Sequence, residues 1–464
     1  MDELMCDEGH TGIMCSRCLE GFFFDSAQNK CRNCTFLRRT VMFLSVAAGF
    51  LVIWLFERIS HLNDMQKLLR HNRIMFKRLW VVVAPYYNIA VPKVIWSTFQ
   101  IVCTVPVSLY IYFPSPLKEM MDVAWISQVD AAEMLGIPCT FAEYNGFIQR
   151  SYISGLMPLL IGIICWLIYA VRVNLVSLNK EDEVFGQHMH FTMIFIFCVV
   201  PPMTRLLATG LVCDSETIPG ISFLVASPAV DCDSDMYNAF LPFAIIMFLA
   251  YFSTPLLCLG ILFAKHDRIV MNDEVSLELR HVLRYDPTLK PYRFLIKNYK
   301  RATWWHDIYD MYRRILLVCI IPTFFSAPVS SKASIGCVLS LLTIMISTNL
   351  KPYELEVINS LSEMCQYLIF FTYFVAVLIL ADFEDGLNQT GGRWSLLGSV
   401  LALALTALCL ISLRPWIRTV LEFRRTQQYL EARLAQLPRS GAIKYKLKRP
   451  LTLLRLVESQ AISK

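Results

Sequence analysis

Long apolar runs almost free of charge recur along this chain, and a run of that kind leaves a polypeptide few choices. They occupy 40–56, 94–113, 151–171, 240–264, 315–331, 334–350, 364–381 and 394–413, and a ninth, 191–212, holds one charge, Arg205. Most reach the ~17 to 25 residues that a helix needs to cross roughly 30 Å of hydrocarbon. The chain is 17% charged, whereas soluble domains run nearer ~25%, so burying these runs inside a water-soluble core is not the alternative. The pattern predicts an all-α polytopic membrane protein of about nine transmembrane helices, with a small N-terminal disulfide-rich extracellular module. The two short runs between Ile315 and Leu350 also fit one re-entrant hairpin.

Basic residues between the runs fix an orientation. Taken alternately, the segments 57–93, 172–189, 265–314, 351–363 and 414–464 carry 33 Lys and Arg, while the other set, after the first run, carries four, with thirteen Asp and Glu. Lys and Arg stay on the cytoplasmic side and acids matter little to that rule. The N-terminus is therefore expected outside and the C-terminus inside, in a plasma or internal membrane.

Cysteine supplies an independent check. Eight of the sixteen, Cys6, Cys15, Cys18, Cys31, Cys34, Cys139, Cys213 and Cys232, fall in segments expected outside; the other eight fall inside runs. The first five lie in "CDEGHTGIMCSRCLEGFFFDSAQNKCRNC", where two C-x-x-C pairs have the spacing of a zinc ribbon and equally suit a disulfide module. An oxidising compartment favours disulfides. Five is odd, so one cysteine reaches an external loop or the chain begins inside a longer cysteine-rich region. Met1 is followed by acids rather than a basic, apolar leader, which would make the first run a reverse signal anchor unless more sequence precedes it. Cys213 and Cys232 bracket a loop that one bridge would close. Asn33 and Asn388 occupy N-x-T sequons on the external side.

These features divide the chain into a module (1–39), a multi-span domain (40–413) and a basic tail (414–464). The longest internal loop ends "LKPYRFLIKNYKRATWWHDIYDMYRR". Its Trp304, Trp305, Arg313 and Arg314 have the aromatic and basic mixture of an interfacial helix, which points to the bilayer and its anionic lipids as partners and away from nucleic acid. No phosphate-binding glycine loop, H-E-x-x-H, nucleophile elbow or kinase signature occurs, so neither an enzyme nor a bound cofactor is expected. His188 and His190, beside Glu181, Asp182 and Glu183, read as solvated charge rather than a metal site. The runs contain no Asp, Glu or Lys, which weighs against proton-coupled transport. Arg205 alone is charged there, a few residues after Pro201 and Pro202. It would bond the carbonyls those prolines free, snorkel outward, or contribute to gating or substrate contact.

The module "GHTGIMCSRCLEGFF" resembles laminin-type EGF and ephrin-receptor-like repeats. The order that follows, through "KVIWSTFQIV", the loop ending at Cys139, "GLVCDSETIPGISFLVASPAVDCDSDMY", "PYRFLIKNYKRATWWHDIYDMYRRILL" and "NLKPYELEVINSLSEMCQYLIFF", resembles the TRP-like polytopic proteins of protists and algae. Those are related to fungal TRP-like and polycystin-like channels. The resemblance implies a cation-channel-type protein, acting on ions and open to homo-oligomerisation. A pore filter and a multi-Arg voltage-sensing span are not recognisable. Two other classes stand beside it. A receptor or adhesion protein would use the module for ligand, and a carrier of lipid or small organic solute would need a polar cavity, for which Gln100, Gln366 and Asn349 are the available residues.

Overall fold

The structure is a computed structural model; its described residues fall within 6–34 and 90–383, less several short gaps and the longer stretches 131–145 and 270–288. The expected spans at 40–56 and 394–413, the basic tail, Cys139 and Asn388 lie outside the described residues.

Among the described residues six helices are long and apolar enough to cross a membrane: Ala90–Leu109, Phe147–Asn174, Val184–Thr209, Asp235–Phe263, Val329–Leu350 and Glu356–Ala381. The main helices are α1 (Ala90–Val102), α2 (Thr104–Leu109), α3 (Leu117–Ala124), α4 (Phe147–Leu175), α5 (Glu181–Thr209), α6 (Asp235–Phe263), α7 (His306–Ile315), α8 (Ile321–Phe324), α9 (Val329–Leu350) and α10 (Glu356–Phe383). The chain is an integral membrane protein. On α4 only 6% of the most apolar window is buried, and Leu159, Ile163 and Leu167 stand 45%, 57% and 61% exposed. An open apolar face of that extent would aggregate in water and is at rest in lipid.

The run expected to span at 315–331 folds differently. It begins nine residues earlier, at His306, and continues from α7 through a π-helical turn, Leu316–Ile320, into α8. Asp307, Asp310, Arg313 and Arg314 thus belong to the helix that enters the bundle. The early start follows from packing: Ile308, Met311 and Ile315 are each at most 3% exposed, so α7 has a buried apolar face before the apolar run begins.

Local signals start and stop these helices. Ser234 caps α6, its Oγ accepting from the Tyr237 amide at 3.3 Å, with Asp235 in the first turn where the helix dipole favours an acid. Lys351 ends α9 at a positive φ of 39°, followed by Pro352, which cannot continue a helix. Asn359 secures the turn into α10, accepting from the Tyr353 amide at 2.9 Å and donating to its carbonyl at 3.0 Å. The same turn is tied to the segment before α7: the Lys300 amide donates to Pro352 O at 2.8 Å, and the Tyr299 and Tyr353 rings lie 4.9 Å apart. At the far end of α9, Gly336 is required, because a Cβ there would sit 2.3 Å from the Tyr373 ring. Tyr373 uses that approach to donate to Leu317 O in the π turn, at 3.0 Å.

Strands are few. In the module β1 (His10–Thr11) pairs with β2 (Arg17–Cys18), and β3 (Phe22–Asp25) with β4 (Lys30–Asn33), both antiparallel. Disulfides join Cys6 to Cys15 and Cys18 to Cys31, and Cys34 is also disulfide-bonded. Asn33 is exposed on β4. Between α5 and α6, β5 (Cys213–Asp214), β6 (Phe223–Leu224) and β7 (Ser227–Asp231) form a small sheet, closed by the Cys213–Cys232 disulfide.

Candidate functional site

Helix α1 is polar on the side turned into the protein. Lys93, Ser97 and Gln100, and Thr104 just beyond at the start of α2, recur at spacings of four, three and four and are 5%, 3%, 1% and 1% exposed. Ile95 and Phe99 on the other side are 36% and 38% exposed. This is the reverse of a soluble amphipathic helix, and it suits lipid outside and polar partners inside.

Helix α7 supplies most of those partners. Asp307, Asp310, Arg313 and Arg314 share one face by helical spacing. Lys93 Nζ donates to Asp307 Oδ2 and to Phe294 O (2.6 Å), and lies 3.7 Å from the centre of the Phe294 ring. Tyr299 donates its hydroxyl to the other Asp307 oxygen. One helical turn on, Ser97 Oγ donates to Asp310 Oδ2 at 2.7 Å and Arg313 Nη2 donates to Asp310 Oδ1 at 2.6 Å. Arg313 Nη1 donates to Gln366 Oε1 on α10, which also accepts from Thr343 of α9 at 3.3 Å.

Arg314 extends the network towards the middle of the bundle. Its Nη1 donates to Gln100 Oε1 at 2.5 Å and to Phe197 O at 3.0 Å, and its guanidinium lies 4.1 Å from the centre of the Phe197 ring. Gln100 Nε2 donates in turn to Cys198 O at 2.7 Å and Ser127 O at 2.9 Å. The identity of these carbonyls has a covalent cause. Pro201 and Pro202 lack amide hydrogens, so the carbonyls four residues back, Phe197 and Cys198, have no helical donor. Arg314 and Gln100 satisfy both. Beyond Gln100, Gln128 Nε2 donates to Thr104 Oγ1 at 2.7 Å and to Gln100 O at 2.9 Å. A hydrogen-bonded seam therefore follows α1 from Lys93 to Thr104, about 16 Å at 1.5 Å per residue, roughly half the hydrocarbon thickness.

Charge within the seam is closely held. Arg313 and Arg314 both approach Asp310, at 2.6 and 3.3 Å. Burial pushes His306 down to about 4, so it is neutral at pH 7. A cleft of about 10 Å³, the size of one water site, lies among Lys93, Ser97, His306, Asp310, Arg313 and Gln366. Nothing as large as a hydrated ion or organic solute fits it in this conformation.

Several sequence expectations change here. Arg313 and Arg314, expected at the lipid interface, are 5% and 0% exposed, because each finds a carboxylate, amide or carbonyl partner inside the bundle. Trp304 and Trp305 are half-buried, Trp304 against His266 with rings 5.4 Å apart. The spans do contain lysine: α1 holds Lys93, and α9 holds Lys332, which donates to Pro322 O at 2.9 Å. With Asp307 and Asp310 packed against them, the argument from missing intramembrane acids no longer holds. Arg205 does not take the proline-freed carbonyls. Its guanidinium lies 5.7 Å from the centre of the Trp125 ring and its buried Nε has no hydrogen-bond partner. Of the three amides considered for a cavity, Gln100 and Gln366 join the seam and Asn349 is exposed. His188 bonds its own helix, Nδ1 lying 3.0 Å from Val184 O. Among the described residues no group of three or more His, Cys, Asp or Glu could hold a metal.

The seam was legible in part. The i, i+4, i+7 and i+11 spacing of Lys93, Ser97, Gln100 and Thr104 is a helical stripe, but it straddles residue 94, where the uncharged run begins. Comparison with known proteins finds no matching family model, no similar curated protein and no similar solved structure.

Proposed function

We propose that this chain is a membrane transport protein of the cation-channel type, the class to which its TRP-like resemblance points, and that the buried seam is its gate. The carrying observation is the inward polar stripe of α1, bridged to α7 by Arg314 and Gln100 beside a π-helical turn. Charged groups held in low dielectric respond strongly to voltage or ligand, and interruptions of regular helix mark places where a helix changes register. The seam serves as gate rather than filter, since its cations outnumber its carboxylates and the surplus positive charge repels cations.

Purified protein in planar bilayers tests this. Unitary cation currents are expected, and Gln100→Leu, which cuts the seam at its midpoint, should change open probability without changing unitary conductance. Silent bilayers end the channel reading.

A carrier is the second reading, favoured by the meeting of Thr343 and Gln366 from two spans with Arg313. It predicts solute exchange in proteoliposomes with no unitary currents.

A further inference from the structure

Two guanidiniums in the seam share one carboxylate. Lys93 and Asp307 are neutral as a unit whichever of them holds the shared proton. That leaves Arg313 and Arg314, which cannot lose theirs, against Asp310 alone. No other carboxylate among the described residues pairs with either arginine. The surplus of one positive charge sits where the side chains are 4% and 0% exposed. A buried charge of that kind demands a counter-charge.

Arg313 Nε and His306 Nδ1 are buried without a hydrogen-bond partner, and both residues line the 10 Å³ cleft between α1, α7 and α10. A water there would satisfy these atoms and leave the charge uncompensated. A carboxylate or phosphate ester is too large. We propose that this cleft binds one monatomic anion of chloride size, held by Arg313 and His306. His306, neutral in its surroundings, presents Nδ1–H in one of its two tautomers. The two acids nearby do not oppose binding, because Asp307 is occupied by Lys93 and Tyr299, and Asp310 by Ser97, Arg313 and Arg314.

The inference rests on the fold and not on conduction. The test is thermal melting of the purified full chain in sodium chloride against sodium gluconate at constant ionic strength, with bromide as a second probe. Wild type should melt several degrees higher in chloride, saturably, with bromide acting alike. Arg313→Gln removes the surplus and should weaken the apparent chloride affinity about tenfold or more, the loss of one charged hydrogen bond. Asp310→Asn doubles the surplus and should tighten it, though the variant starts less stable. Opposite shifts cannot come from general destabilisation. A wild-type melt indifferent to chloride overturns the site, as does a chloride response that weakens in Asp310→Asn; either result stands even if Arg313→Gln fails to fold. A saturable chloride response in a protein with silent bilayers keeps the anion site and ends the channel reading. Currents from a protein indifferent to chloride do the reverse.

Discussion

Single residues in this protein are set by what their neighbours lack. Prolines 201 and 202 free two carbonyls, and Gln100 and Arg314 are long enough to reach them. Gln100→Leu strips donors from Cys198 and an acceptor from Arg314, so it should lower stability by about 1–3 kcal/mol, readable as a fall in melting temperature. His306 carries a pH prediction. Its folded value, about 4, lies below its ordinary 6.5, so the unfolded state binds the proton more readily between those values. Stability is therefore full above pH 6.5 and declines as pH falls towards 4, by roughly 2 kcal/mol at pH 5. Asp310 favours the histidine's charged form, and Arg313 and Lys93 oppose it. Melting curves at pH 7 and 5 in sodium gluconate, with no chloride to favour the charged histidine, should separate in wild type and draw together in His306→Gln. Arg205 has no hydrogen bond at Nε to lose. With no hydrogen bond there to lose, Arg205→Gln should leave surface expression near that of wild type while changing surface-normalised currents. Unchanged currents per molecule would remove Arg205 from the mechanism.

Elements are held by a few cross-links of different chemistry. The sheet of β5, β6 and β7 is too small to stand alone, and the Cys213–Cys232 bridge closes nineteen residues of sequence around it. Removing the pair by a double Cys→Ser change should cost about 2–4 kcal/mol. The expected signature is earlier proteolysis between α5 and α6, with the seam's pH response intact. The π turn at Leu316–Ile320 is the corresponding joint inside the bundle. Tyr373 reaches it only because Gly336 lets α9 and α10 approach, so Gly336→Ala should disturb packing as an overfilled core does, at about 1–3 kcal/mol.

At the scale of the whole molecule, lipid-facing helices surround an interior that is partly ionic. One end gathers the start of α1, the segment before α7 and the α9–α10 turn, linked through Tyr299, Lys300 and Pro352. These are segments that the distribution of Lys and Arg assigns to the cytoplasm. On that map a membrane-impermeant thiol reagent on intact cells should label Tyr112→Cys, which lies 70% exposed at the far end of the α1–α2 helix, and spare Lys351→Cys. The opposite result would invert the map.

The membrane class, the positions of most spans and the disulfide chemistry were legible because each depends on residues near one another in sequence. Hydrocarbon thickness sets a run length, and the compartment sets the fate of a cysteine. The interior was not legible, because charge in a membrane is tolerated only through partners, and those here are some two hundred residues away. Lys93 meets Asp307 across 214 positions, and Gln100 meets Arg314 across 214. Read along the chain, Arg313 and Arg314 are interfacial cations beside a span. Only the packing of α7 against α1, α5 and α10 brings each a partner, and so decides that they lie inside.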